Sequence, residues 1–486
     1  MNAIVKRCLY AKFRPSRITA IVCAYLVFLL FILWIKWLGV RPLDFSEVFR
    51  VWSLTLFFIQ YLLVFVGGFF LTAGEVYKER LQKSIVFFES LPLRPWEKLK
   101  GMVLGSNLTN FLLILITTPL AVISGLVGGI NLYNIIATYM ILIPSIILVS
   151  LIGFLITLSS ARLYRPSLLF VLFVIFIINL WISYYHHTYY KDIPIAPFYL
   201  LFPTSYYGML FNSEVETISL FGWKWWIPLY GVFMYSYFGY WFALALLRKI
   251  RNEESSPLSL KQSIIFFFLS EFIFTGFMWD SYIYNGDLII GSFQGLTLFN
   301  LFFALFVVSF FVKNYKTFLI SLGESDGKKA SIFHRMHRFP FFLGLIFWIY
   351  VFLLSIPSFW LFKKVPLSYF LLYFLRMGLF LFLFIAVIEF CAIILKERGK
   401  VLGWIIVGIL YIAPMILAVA ANEPYSTIFF SYLSPLLDIY STSFKDYEIR
   451  NIILSFVYII GGIAIFKILY LYRRKKLLEI RRKMLR

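Results

Sequence analysis

The stretch NIIATYMILIPSIILVSLIGFLITLSS, residues 134–160, indicates the fold class of this chain. It contains no charged residue and is apolar on every side. An α-helix rises about 1.5 Å per residue, so crossing a hydrocarbon layer of about 30 Å takes roughly 20 apolar residues. Strands of a membrane β-barrel alternate polar and apolar residues, and this stretch does not. It therefore predicts a membrane-spanning helix.

Comparable runs recur along the whole chain, which is 62% hydrophobic and 14% charged. That balance excludes a soluble domain. We predict an all-α, polytopic membrane protein with about twelve transmembrane helices. The predicted spans are 18–40, 50–73, 102–124, 134–160, 166–185, 224–247, 263–279, 288–312, 341–362, 368–394, 401–420 and 451–470.

The net charge of +22 is distributed by loop. If the N-terminus is cytoplasmic, 34 of the 45 Lys and Arg fall in cytoplasmic stretches. This asymmetry is the positive-inside rule, and it predicts that both termini are cytoplasmic. Basic stretches beside anionic headgroups explain the charge without nucleic acid as a partner. We expect a multi-pass protein of the plasma membrane, specifically a bacterial inner membrane.

The polar run at 247–261 separates six predicted spans from six, so the sequence predicts two transmembrane halves, 1–250 and 251–486. Each half has a basic cytoplasmic loop after its second span, at about 74–101 and 313–340. Each also has an apolar external segment broken by proline, at Pro203 and Pro435, before its sixth span. This shared order of parts indicates a duplicated unit.

The loop AGEVYKERLQKSIVFFESLPLRPWEKLKGMVLGS, residues 73–106, combines a short amphipathic helix with a Leu-Pro turn. It resembles the loop between the second and third spans of ABC type-2 exporter permeases, where a coupling helix contacts the partner ATPase. The resemblance implies that role for acidic, apolar and turn residues of this loop: Glu75, Glu79, Leu81, Ile85, Phe88, Leu91, Pro92 and Trp96, with Lys98 and Gly101 completing the motif. An ordinary basic cytoplasmic loop is the alternative.

The second half departs from this pattern, because Leu322 and Gly323 stand where Leu-Pro is expected. The resemblance still implies a second coupling helix around Thr317 to Leu322, with Leu322 among its contacts, and an ordinary basic cytoplasmic loop is the alternative. The chain also has no GxxxxGK[ST] phosphate loop. The resemblance therefore implies a permease, not an enzyme, that exports an amphipathic or hydrophobic small molecule, lipid or peptide with energy from separate cytoplasmic ATPase subunits. An ion-coupled secondary transporter and a membrane enzyme acting on lipid-linked substrates remain alternatives.

Ionisable residues at membrane depth are functional candidates, because their insertion is costly. Glu271 and Arg376 lie at comparable predicted depths, and we hypothesise that they neutralise each other across a helix contact. Gln60, Asn107, Asn110 and Asn179 suit either hydrogen bonding between helices or substrate contact. The histidines and cysteines match no metal-ligand spacing, so we expect no metal and no cofactor.

Overall fold

The structure is a computed structural model, and it describes most of the chain. The described residues are 3–39, 45–81, 93–159, 217–251, 255–284, 340–361 and 367–394, most of 300–311 and of 399–409, and single positions between 460 and 479. The span predicted at 166–185 lies outside them, as do most of those predicted at 288–312, 401–420 and 451–470.

The chain divides into two compact units. Unit 1 comprises Met1–Ser219 and Trp223–Pro257, and unit 2 comprises Leu220–Gly222 and Leu258–Arg486. The described helices of unit 1 are α1 (Ala3–Lys12), α2 (Pro15–Gly39), α3 (Phe45–Leu62), α4 (Gly68–Leu81), α5 (Pro95–Val127), α6 (Leu132–Ser159) and α7 (Ile227–Arg251). A π-helical segment, Leu63–Gly67, joins α3 to α4 without a break.

The longer described helices of unit 2 are α8 (Leu260–Tyr284), α9 (Pro340–Leu361) and α10 (Leu367–Ile394). Aromatic rings fill the contacts within this unit. Phe267 of α8 stacks on Phe347 of α9 with ring centroids 4.0 Å apart, and Phe268 stacks on Tyr350 at the same distance. Such stacked pairs add to the stabilisation that comes from burying their area.

Six helices within the described part of the chain are long and apolar enough to cross a membrane. They are Ile18–Ile35, Phe45–Glu79, Pro95–Val127, Leu132–Leu158, Pro228–Arg251 and Phe374–Ala392. Each overlaps a predicted span, so the prediction of a long apolar helix is confirmed for these six segments. The total of twelve spans and the orientation of the termini stay predictions.

One segment departs from the expected helix. Residues 224–226, predicted to begin the sixth span, instead belong to strand β2 (Trp223–Trp226), which pairs with β1 (Thr217–Leu220). The two residues between the strands, Phe221 and Gly222, have φ angles of 51° and 82°. Positive φ at both central residues is the geometry of a tight hairpin turn, and it delays the start of α7 to Ile227.

The ends of α5 explain how the chain turns at each end of unit 1. Pro95 is its first residue, and the Glu97 carboxylate accepts a hydrogen bond from the Arg94 backbone N–H at 3.1 Å. Both features favour helix initiation. At the other end, Gly128 lies so close to Arg50 that a Cβ there would be 2.4 Å from the Arg50 backbone nitrogen. Gly129 follows with φ of 75°, and the chain reverses into α6.

Candidate functional site

Hydrogen-bonding groups line the contact between the continuous α3–α4 rod and the antiparallel α5. Three hydrogen bonds mark its levels: Ser53 Oγ to Ala121 O at 2.9 Å, Gln60 Nε2 to Thr117 Oγ1 at 2.9 Å, and Thr72 Oγ1 with Ser106 Oγ at 2.8 Å. Nineteen positions separate Ser53 from Thr72, which corresponds to about 28 Å of helix. We call this line of groups the polar column. Its length approaches the thickness of a bilayer core.

Asn107 is the centre of one end of the column. Its Nδ2 lies 2.8 Å from Ser150 Oγ on α6, 3.0 Å from Thr72 Oγ1 on α4 and 2.9 Å from the Val103 carbonyl oxygen. One amide therefore links three helices. Hydrogen bonds between membrane helices average about 0.6 kcal/mol each. Of the two roles that the sequence suggested for Asn107, hydrogen bonding between helices is therefore observed.

Asn110, one turn further along α5, packs against the π-helical segment. Its Nδ2 donates to Asn107 Oδ1 at 3.3 Å, and a Cβ at Gly67 would lie 2.7 Å from Asn110 Oδ1. Glycine at position 67 therefore makes room for this amide. Gly67 is also the last residue of the π segment, a type of bulge frequently found at functional sites.

A second group of polar side chains surrounds Gln60, deeper in the column. It draws residues from four helices, and we call it the tyrosine cluster. Its members are Tyr25 of α2, Gln60 and Tyr61 of α3, Thr117 and Thr118 of α5, and Thr138 and Tyr139 of α6. The Tyr25 hydroxyl lies beside Thr117, that of Tyr61 beside Thr138, and that of Tyr139 beside Thr118 and Gln60.

Four buried atoms of the tyrosine cluster have no hydrogen-bond partner among the described residues. They are Gln60 Oε1 and the hydroxyl oxygens of Tyr25, Tyr61 and Tyr139. Gln60 itself is fully buried, and Tyr61 is 2% exposed. Each unsatisfied group of this kind costs about 1–3 kcal/mol. The cluster therefore differs from the Asn107 end of the column, where the amide is bonded.

The amphipathic helix α1 is docked at the Asn107 end of the column. Arg7 Nη2 lies 2.8 Å from Glu79 Oε1, and Lys12 Nζ lies 3.3 Å from Glu75 Oε1. Lys12 also donates to the carbonyl oxygens of Gly105 and Ser106, at 3.2 and 3.0 Å. We call these contacts the α1 latch. An exposed ion pair contributes about 0–1 kcal/mol, so the half-buried Lys12 contacts are the stronger part.

Cys8 sits where α1 meets α5. A Cβ at Gly105 would lie 2.8 Å from Cys8 Sγ, so a glycine there is what lets the two helices approach. Burial raises the pKa of the Cys8 thiol, and Lys12, the next largest influence, acts in the opposite direction. The thiol is therefore held in its neutral, less reactive form.

Two acidic residues of the predicted coupling loop, Glu75 and Glu79, belong to the α1 latch. Glu75 and Glu79 lie on α4, which ends at Leu81, and both pair with cations of α1. Trp96 lies on the first turn of α5, 46% exposed, with the Lys100 ammonium 5.1 Å from its ring centroid. The remaining predicted contacts, Ile85, Phe88, Leu91, Pro92 and Leu322, lie outside the described residues.

Glu271 of α8 is fully buried in unit 2. Neither of its carboxylate oxygens has a hydrogen-bond partner among the described residues. Arg376 of α10 is also fully buried, and its guanidinium carbon lies 5.7 Å from the centre of the Phe380 ring. With both Glu271 oxygens unbonded, the hypothesised ion pair with Arg376 is not formed in this structure.

No protein-family model, curated protein or solved structure matches the chain. The resemblance to exporter permeases therefore rests on the residues of the 74–101 loop. The polar column and the α1 latch are the two features of unit 1 that bear on function.

Sequence reasoning identified Gln60, Asn107 and Asn110 but missed the hydroxyl groups around them. Ser and Thr are common in apolar helices, because their hydroxyls can bond the carbonyl of the preceding turn, and Tyr is common near membrane interfaces, so a single one carries little signal. A usable signal lay in paired positions. Ser53, Gln60 and Thr72 match polar or small positions on the following span when the two are aligned antiparallel.

Proposed function

We propose that this chain is the membrane permease of an ATP-driven exporter of the ABC type-2 kind, with ATP hydrolysis in separate cytoplasmic subunits. One observation carries the proposal: the α1 latch joins the amphipathic helix to the two acidic residues that precede loop 82–92. Trp96 follows the same loop on α5. A partner that moved this loop would move α4 and α5 together with the polar column between them.

Charge supports a cytoplasmic location for the latch end of unit 1. This end carries the basic residues of α1 and of the last turn of α7, where Arg248, Lys249 and Arg251 lie. The described basic residues toward the opposite end are Lys36, Arg50 and Lys224. Basic residues concentrate on the cytoplasmic side of membrane proteins. With the latch end inside, loop 82–92 would face a cytoplasmic ATPase.

The π-helical segment offers a way for such a movement to reach the column. It separates Gln60 and Tyr61 on α3 from Thr72 on α4. π-bulges and helix kinks are points at which the backbone hydrogen-bond ladder can change register. A push on α4 could therefore shift the Asn107 end of the column against the tyrosine cluster. In this mechanism the two ends of the column open alternately.

The wider architecture belongs to the same proposal. Two six-span halves, 1–250 and 251–486, would form the twelve-span permease of a bacterial inner membrane, with both termini cytoplasmic. The pathway would carry an amphipathic or hydrophobic substrate outward. Loop 313–340, with Leu322, would give the second half its own contact with an ATPase.

The proposal is tested by asking whether an ATPase co-purifies through the loop. The tagged chain is isolated from its native membranes in mild detergent, and the eluate is assayed for magnesium-dependent ATP hydrolysis. A matched variant lacks residues 84–92. A control variant replaces Trp223, which is 76% exposed on β2 at the opposite end of unit 1, by alanine.

We expect ATP hydrolysis with the intact chain and the control variant, and its loss from the loop deletion. We also expect the neighbouring genes to encode a protein with a phosphate-binding loop. Retained hydrolysis in the deletion variant would show that the loop does not dock the ATPase. Absence of any hydrolysis with the intact chain would favour a transporter that needs no ATPase.

Glu271 supports that second candidate, an ion-coupled transporter. Its carboxyl group is fully buried, close enough to Tyr350 of α9 to interact electrostatically with it, and has no hydrogen-bond partner among the described residues. A charged carboxylate in such surroundings loses hydration without compensation, so we expect the neutral acid. Dicyclohexylcarbodiimide, which modifies protonated carboxyl groups in apolar sites, should label Glu271, and Glu271→Gln should abolish that label. Ion-paired Glu75 and Glu79 serve as internal controls, and an unlabelled Glu271 would remove the support for this candidate.

A further inference from the structure

The tyrosine cluster has more hydrogen-bonding capacity than its own residues use. Gln60 Nε2 donates a hydrogen bond to Thr117 Oγ1, and Gln60 Oε1 has no partner among the described residues. The hydroxyl groups of Thr118 and Thr138 donate hydrogen bonds to backbone carbonyl oxygens of the preceding turn, those of Ile114 and Asn134 respectively. Each of the three tyrosine hydroxyls lies beside one of these side chains without reaching hydrogen-bond geometry to it, so the hydroxyls and the threonine lone pairs remain. Both donors and acceptors are therefore left over in one place.

The left-over groups define the chemistry of a ligand. The cluster contains no charged residue, so an ion would find no counter-charge within it. Phenol hydroxyls can donate and accept, while the Gln60 oxygen only accepts. A small neutral molecule that both donates and accepts satisfies them all. We propose that the tyrosine cluster binds internal water molecules within the membrane-spanning part of unit 1.

The tyrosine cluster lies within the membrane-spanning part of the polar column, where bound water would matter for transport. Gln60 lies seven residues from Ser53, about 10 Å along the column from the end opposite the latch. Buried waters in proteins usually make two to four hydrogen bonds to otherwise unsatisfied polar groups, as is available here. A hydrated step at this depth lowers the cost of passing a polar group through the unit. Bound water at this position is compatible with a protein driven by an ATPase and with one driven by an ion gradient.

Radiolytic hydroxyl-radical labelling tests the proposal, because radicals formed from bound water oxidise the side chains beside it. The purified full-length chain in detergent is irradiated, and oxidation of individual tyrosines is followed by mass spectrometry. Tyr61, only 2% exposed, is the reporter. Tyr235 of α7 is the matched control with the same exposure, and Tyr10, 67% exposed on α1, is the positive control.

We expect Tyr61 to be oxidised several-fold faster than Tyr235, at a rate closer to that of Tyr10. In Gln60→Leu, which removes the amide but keeps the side-chain size, the Tyr61 rate should fall toward the Tyr235 rate while the Tyr10 rate stays unchanged. Equal rates for Tyr61 and Tyr235 in the wild-type chain overturn the proposal, whether or not the variant folds. A Gln60→Leu variant that folds and keeps fast Tyr61 oxidation also overturns it, because Gln60 would not be holding the water.

Discussion

Substituting Gly67 by alanine should produce a defect that truncating Asn110 relieves. The new Cβ would lie 2.7 Å from Asn110 Oδ1, 2.8 Å from Nδ2 and 3.0 Å from Cγ, so all three nearest atoms belong to one side chain. Asn110 is 2% exposed and bonded to Asn107, which restricts its movement. Overpacking of this kind costs about 1–3 kcal/mol.

The other contributions to the change in unfolding free energy are smaller than the cost of this overpacking. Alanine favours a helix over glycine by about 1 kcal/mol. Asn110→Ala gives up one hydrogen bond to Asn107, worth about 0.6 kcal/mol. The double variant should therefore unfold close to the wild-type chain. The coupling energy between the two substitutions should equal the overpacking energy that Asn110→Ala removes, about 1–3 kcal/mol. This energy corresponds to a change of roughly 5- to 150-fold in the ratio of folded to unfolded protein.

The measurement is a double-mutant cycle of unfolding free energies in mixed micelles titrated with denaturing detergent. Gly153 provides the control, because a Cβ there would lie 2.7 Å from the backbone oxygen of Phe69. Truncating the Phe69 side chain leaves that oxygen in place, so Phe69→Ala should not rescue Gly153→Ala. Purely additive effects of Gly67→Ala and Asn110→Ala would refute the close packing of Asn110 on the π segment.

Three further predictions concern the α1 latch, the Cys8 thiol beside it, and the buried residues Glu271 and Arg376 of unit 2. Reversing Arg7 to Glu or Glu79 to Arg turns an attraction into a repulsion while the Lys12 contacts remain, so it should loosen α1 and moderately increase its cleavage in limited proteolysis. The double swap should restore protection, and equal cleavage in all three variants would contradict the latch. With the other two cysteines replaced by serine, Cys8 should react with a maleimide more slowly than an exposed thiol at pH 8. Its rate profile should shift to higher pH, because its raised pKa leaves less thiolate, and an unshifted profile would contradict this. Exchanging the charges of Glu271 and Arg376 should not rescue the expression lost in either single reversal, and a rescue would show that they pair after all.

The fold was predictable where apolar length decides it. Residues 134–160 carry no charge, so only a helix that bonds its own backbone can hold them in a bilayer, and α6 spans Leu132–Ser159. The hairpin before α7 was not predictable in the same way. Trp223–Trp226 suits either a membrane interface or a strand, and the choice depends on the positive φ angles of Phe221 and Gly222, which no periodicity reveals.

The candidate site was predictable in its amides but not in its connections. An amide in an apolar run is rare enough to attract attention, which is why Gln60, Asn107 and Asn110 stood out. The pairing of Glu75 and Glu79 with α1 could not be read from the loop alone, because the partners lie more than sixty residues earlier in the chain. The same acidic residues that the family resemblance assigned to a partner are occupied by the chain itself.

Because Glu75 and Glu79 pair with α1, a docking partner has fewer residues of this loop left to contact. Glu79 is 13% exposed and Glu75 35%, and both are held by cations of α1, so neither is free for a basic surface of an ATPase. Trp96, by contrast, is exposed on the first turn of α5 and rigidly based on a helix that begins at Pro95. A partner would therefore gain affinity from Trp96 and loop 82–92 and would act on α4 through the latch. Trp96→Ala should weaken ATPase co-purification and leave the proteolysis of α1 unchanged. Arg7→Glu should increase the proteolysis of α1 and leave co-purification largely unchanged. If each variant changes both results, ATPase docking and the α1 latch are one interaction.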